Sequence, residues 1–186
     1  MKKILSIAIV SVFLLLSSAT GYAEEAPQAV KDLAKSSLAA YGTDPVIVAA
    51  VKEQNSQGKS LDAIKAADKK WQETAGMDDF MKSKMSSPCG THLTGILKSA
   101  KYFSEIFVMD NQGANVAMTT KTSDYWQGDE AKFQKSFAEG AGTVFIDEVK
   151  FDDSSQAYLV QVSVPVTDGG KAIGAITFGI NIDAMQ

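Results

Sequence analysis

An α+β fold with an antiparallel sheet is what this 186-residue sequence predicts, on three observations. Residues 24–100 carry apolar positions at helical spacing, and from Ser104 the period changes to two. Asn111–Gly113 and Thr167–Lys171 place tight-turn residues between the alternating runs. Helices that come first and strands that follow in succession are the order of an α+β domain, not of an alternating parallel one.

Each element can be justified in turn. Val30, Leu33, Ala34 and Leu38 lie near helical spacing within Gln28 to Tyr41, and Gly42 stops that helix. Thr43 or Asp44 caps a second helix, with Pro45 in the first turn, where a missing N–H costs nothing. Ser60 opens a third, whose Leu61, Ile64 and Trp71 fall on one stripe, and Gly76 closes it. A short helix from Asp78 to Lys84 and another from about Gly90 to Ala100 complete the helical half. Ser104–Asp110, Ala114–Thr120, Thr143–Phe151, Gln156–Val166 and Ala172–Ile182 then read as five strands. A helix over the segment DYWQGDEAKF interrupts them and ends near Gly140 and Gly142.

The N-terminus reads as an export signal over residues 1–23: Lys2 and Lys3, an apolar run from Ile4 to Leu16, then small residues ending at Ala23. That run is shorter than the roughly 20 residues a membrane-spanning helix needs. The expected product is periplasmic or secreted, with residues 24–100 as a helical segment and 101–186 as the sheet-bearing core. No apolar span follows Asp183, and the expectation is a free-standing domain without its own signalling module.

Composition excludes several functions. The net charge is −4, and removing Lys2 and Lys3 makes it more negative, so nucleic acid is not an expected partner. All 18 basic residues are lysine, so no guanidinium can clamp a carboxylate or phosphate bidentately. Cys89 is the only cysteine and His92 the only histidine. Their C-x-x-H spacing supplies two ligands where a metal centre needs three or four. His92 lies in a helical segment outside any nucleophile elbow, and no Gly-rich phosphate loop is present. No enzyme and no cofactor is expected.

The stretch TSDYWQGDEAKF is the candidate site. As a helix it would set Trp126, Phe133 and Phe137 on one stripe, with Tyr125 and Asp129 on its flank. The stripe is either core or the wall of a pocket. A phenol and a carboxylate side by side would suit the border of a cavity.

SEIFVMDNQGANVAMT, together with the closing hairpin FDDSSQAYLVQVSVPVTDGGKAIGAITFGINI, resembles the Cache domain, the PAS-like extracytoplasmic sensor fold. The resemblance covers roughly Tyr102 to Asp183. It implies a PAS-like five- or six-stranded antiparallel sheet with N-terminal helices, and a small-metabolite ligand of the amino-acid, amine or short-carboxylate class. It also implies readout through a partner such as a membrane receptor. TSDYWQGDEAKF falls where the family has its pocket-bordering helix, which assigns Tyr125 and Trp126 to the ligand wall. Phe151 stands near a family tyrosine, and Asn181 near the aspartate that takes a ligand amine. The family's carboxylate-binding arginine has no counterpart, so amino-acid specificity does not carry over. Lys121 is the available point charge. The expected site is therefore Lys121, Tyr125, Trp126, Asp129, Phe151 and Asn181, between one sheet face and the segment from Lys121 to Asp129. The competing expectation is an interaction protein that keeps the fold with a filled pocket.

Overall fold

The computed structural model describes residues 24–152 and 156–185, so the expected export signal, residues 1–23, lies outside the described residues. Local chemistry sets the helix starts. Asp44 accepts the backbone N–H of Val46 (2.9 Å) and Ile47 (3.2 Å), opening α2 (Pro45–Ser56) at the expected proline. Ser60 caps α3 (Leu61–Glu73) through Ala63 N–H, and Asp78 caps α4 (Asp79–Ser86) through Met81 N–H. Ser87 caps α5 (Pro88–Leu97), which therefore begins two residues before the expected Gly90. The first helix, α1, is shorter than its pattern suggested. It spans Gln28–Ser36, and the chain then tightens into a 3₁₀ turn, Leu38–Thr43.

Five strands form one antiparallel sheet in the order β2-β1-β5-β4-β3: β1 Phe103–Met109, β2 Asn115–Met118, β3 Phe145–Asp152, β4 Ala157–Asp168 and β5 Lys171–Asn181. The α+β class and the five antiparallel strands are those the sequence predicts. The β4–β5 hairpin closes Asp168 against Lys171 over Gly169 and Gly170. Between β1 and β2, Asp110 Oδ1 accepts the N–H of Gln112 and Ala114, both at 2.9 Å, which fixes the turn. Gly113 has φ +86° there, and a Cβ would sit 2.5 Å from the Gly128 Cα, so only glycine fits.

The period of two in the strands divides the core. Ile106, Val108, Val160, Val162, Val164, Ile176, Phe178 and Ile180 are buried on one face, against α1, the 3₁₀ turn, α2 and α5. Phe107, Met109 and Ala175 point to the other, where Ile64 and Trp71 of α3, Met81 of α4, and Phe133 of α6 (Ala131–Phe137) meet Met118 and Tyr125.

The segment preceding α6 departs from its expected helix. Helical structure starts only at Ala131, and Trp126 forms an isolated bridge with Ala114. The Asp68 carboxylate of α3 accepts the N–H of Tyr125 (2.7 Å) and Trp126 (3.1 Å), and the Gln127 N–H goes to Gly113 O at 2.8 Å. Those three donors are held by distant partners and take no part in a helical ladder. Trp126 consequently shares no helical stripe with Phe133 and Phe137.

Candidate functional site

The second sheet face carries polar side chains among its apolar ones. Glu105 and Phe107 of β1, and Gln161 of β4, project there. Gly179 of β5 pairs with both Glu105 and Gln161, and a Cβ at Gly179 would lie 2.5 Å from the Glu105 Cγ. The bare backbone lets Glu105 cross the strand, so that Gln161 Nε2 donates to its Oε1 at 2.9 Å. Burial raises the Glu105 pKa by penalising the carboxylate, and Asp152 and Glu130 add to this. The Gln161 hydrogen bond and the Lys132 charge act in the opposite direction.

Above this pair lies a cavity of about 600 Å³, roofed by the loop from Lys121 to Gln127 and bounded by Lys132, Phe151 and Asp152. A neighbouring hollow of about 390 Å³ between α6 and β3 shares Lys132, Phe151, Asp152 and Gln161 with it. The two form one groove across the open sheet face. Gln127 sits in its wall, 1 % exposed. The Gln127 Nε2 donates to Asp124 O at 2.8 Å, which orients the amide, and the buried Oε1 has no hydrogen-bond partner. Lys132 is already committed: its ammonium is 2.9 Å from Glu130 Oε2 and lies 5.4 Å over the Phe107 ring. The groove thus presents more hydrogen-bond acceptors than uncommitted donors.

The expected site residues scatter around this groove. Lys121 and Phe151 line it. The Lys121 ammonium, however, donates to Thr74 O (2.9 Å) and Gly76 O (3.0 Å) at the end of α3, and so ties the loop down. Tyr125 is 1 % exposed and packs on Trp71 and Phe80, away from the groove. Trp126 donates its indole N–H to Gln112 O at 2.7 Å, with the Lys65 ammonium 4.6 Å from its ring centroid. Asp129 borders an outward hollow with Trp126 and Lys65. Asn181 Oδ1 accepts from the backbone N–H of Asp183 and Ala184, capping the last turn.

Sequence reasoning missed Glu105, Gln127, Gln161 and Asp152. A signal existed for one of them: Glu105 alternates with Phe107 and Met109 in a strand, an acid on what is otherwise a core stripe. Cys89 and His92 form no centre. The Cys89 thiol is buried and pushed up to about 12 by desolvation and Asp44, while His92 Nε2 lies 3.0 Å from Asp44 Oδ2. Among the described residues no cluster of three metal-ligating side chains occurs, and no helix is long and apolar enough to cross a membrane.

No protein-family model matches the chain, and no curated protein matches it in sequence. Solved structures similar to it include the sensor domain of the Vibrio cholerae histidine kinase DctB, at 11% identity and TM-score 0.45. That likeness covers 85% of this chain and 51% of that one. The ligand-binding domain of the Campylobacter jejuni chemoreceptor Tlp3, solved with 4-methylisoleucine, is similar at 16% identity and TM-score 0.44, covering 83% of this chain and 64% of that one. The ligand-binding domain of the Pseudomonas aeruginosa chemoreceptor PctC, solved with GABA, is similar at 11% identity and TM-score 0.38, over 78% and 59% of the two chains. The chain therefore spans about half to two thirds of the length of the domains it matches. These structural neighbours are a sensor domain of a histidine kinase and ligand-binding domains of two chemoreceptors.

Proposed function

We infer that the chain is an exported Cache-type sensor that holds a small metabolite bearing an amino group in the groove and reports it through a partner protein, such as a membrane receptor. The observation that carries the ligand class is the surplus of acceptors. Gln127 Oε1 is buried without a donor, and the Glu105 carboxylate is desolvated with one side-chain donor. A buried acceptor left unpaired costs free energy that an incoming N–H recovers. An ammonium would also offset the desolvation of Glu105. The Lys121 charge is turned to carbonyls, which argues against a ligand that is only a carboxylate. The reading of an interaction protein with a filled pocket is disfavoured by the open space over Glu105 and Gln161.

A thermal-shift screen of amines, amino acids, short carboxylates and purines tests this. A ligand at about 100 times its dissociation constant adds roughly 2.7 kcal/mol, an easily seen shift. The expected hits carry an amino group and are lost in Gln127→Leu. Hits confined to carboxylates without an amine would sink the proposal.

A further inference from the structure

On the far side of the loop that roofs the groove lies a second cavity, of about 400 Å³, between α3, the start of α4 and Tyr125. Its walls are rings and methyl groups: Trp71, Phe80 and Tyr125 with Ile64, Ala63 and Ala67. The three rings brace one another in tilted and edge-on contacts, with centroids 5.2 to 6.1 Å apart. Apolar walls of this size with few polar groups are the usual make-up of a small-molecule site.

Two further features narrow the occupant. The Tyr125 hydroxyl is buried without a hydrogen-bond partner, and burial, with Asp110 adding, pushes the phenol up to about 12. It is therefore a neutral donor at ordinary pH. Two lysines line the space, Lys59 and Lys70; the Lys84 ammonium lies behind the rings, 5.2 Å from the Phe80 centroid and 5.8 Å from that of Tyr125, and donates to Gln54 Oε1 at 2.7 Å. Burial and the Lys59 charge lower Lys84 to about 8, while Asp110 opposes the shift. Among the described residues neither Lys59 nor Lys70 makes a salt bridge. The one acid lining the cavity, Asp78, is used in capping α4 through Met81 N–H.

We propose that this cavity is a second ligand site, distinct from the groove, for a small aromatic carboxylate. The ring packs among Trp71, Phe80 and Tyr125, and the carboxylate sits in the positive field of the lysines with the Tyr125 hydroxyl as donor. The groove, rich in acceptors, and this cavity, rich in cations, select opposite charges. This goes beyond the amine-sensing reading and does not depend on it.

The test is calorimetric titration of the purified protein with phenylacetate and benzoate, and with their neutral amides. Saturable binding of the acids is expected, about tenfold tighter than the amides. Ala67→Leu, which places a larger side chain in the cavity, should abolish it, with folding checked by circular dichroism. Lys59→Gln combined with Lys70→Gln should weaken it by about tenfold without filling the space. Gln161→Leu, in the groove, should leave it intact. No saturable heat, amides as tight as acids, or binding lost in Gln161→Leu but kept in Ala67→Leu would each overturn the proposal.

Discussion

The two faces of the sheet are built from alternate residues of the same strands, yet they have opposite character. In β4, Val160, Val162 and Val164 are sealed beneath α1, α2 and α5, whereas Gln161 and Ser163 face the side that holds the groove. The sealed face shows no orphaned polar side-chain atom; all four found among the described residues, Asn115 Oδ1, Tyr125 Oη, Gln127 Oε1 and Ser136 Oγ, lie toward the loop and α6 side. Apolar burial stabilises one face, and the other gives up part of that stabilisation to orphaned and desolvated polar groups.

Three substitutions sharpen or break that contrast. Phe178→Ala, on the sealed face between Tyr41 and Phe103, should have the largest effect, a loss of about 3–5 kcal/mol in urea unfolding. A loss below about 1 kcal/mol would show that stability does not reside on that face. Trp71→Phe, on the open face, removes the indole N–H that donates to Thr122 O at 2.8 Å and should cost about 1–3 kcal/mol. Hydrogen exchange should then quicken at the Tyr125 amide, which α3 also holds through Asp68. Unchanged exchange there would refute the view that α3 anchors the loop.

Glu105→Gln should have the smallest effect and the opposite sign. The folded-state pKa of Glu105 is raised, so its contribution is intact below the unfolded carboxyl range and is lost as pH rises through the raised value. Melting temperatures of the two proteins should therefore converge in acid, and the variant should melt higher near neutrality. The same change should weaken amine binding and flatten its rise with pH. A variant that melts lower at neutral pH would show that Glu105 is a structural acid and not a strained binding group.

Much of the framework was legible because its signals are local. Asp44 before Pro45, Ser60 before Leu61, and the glycines of the β4–β5 turn each act on residues within one turn. The candidate site was less so. Helical spacing put Tyr125 and Asp129 on a shared flank, but the backbone there is held by Asp68, 57 residues away from Tyr125, and no periodicity reports such a partner. Gln127 was invisible for a different reason. A glutamine in a polar stretch looks solvated, and only the fold of the loop against Gly113 buries it.

The strip from Lys121 to Tyr125 is a party wall. Lys121, Thr122 and Ser123 front the groove, Tyr125 fronts the aromatic cavity, and Lys121 and Asp68 rivet the strip to the α3 region from its two ends. If both proposed sites bind, an occupant of either hollow would stiffen the same few residues, and part of the ordering entropy for the other would already be lost before it arrived. Thermodynamic reciprocity then makes the effect mutual: the factor by which one occupant alters the affinity of the other is the same in both directions.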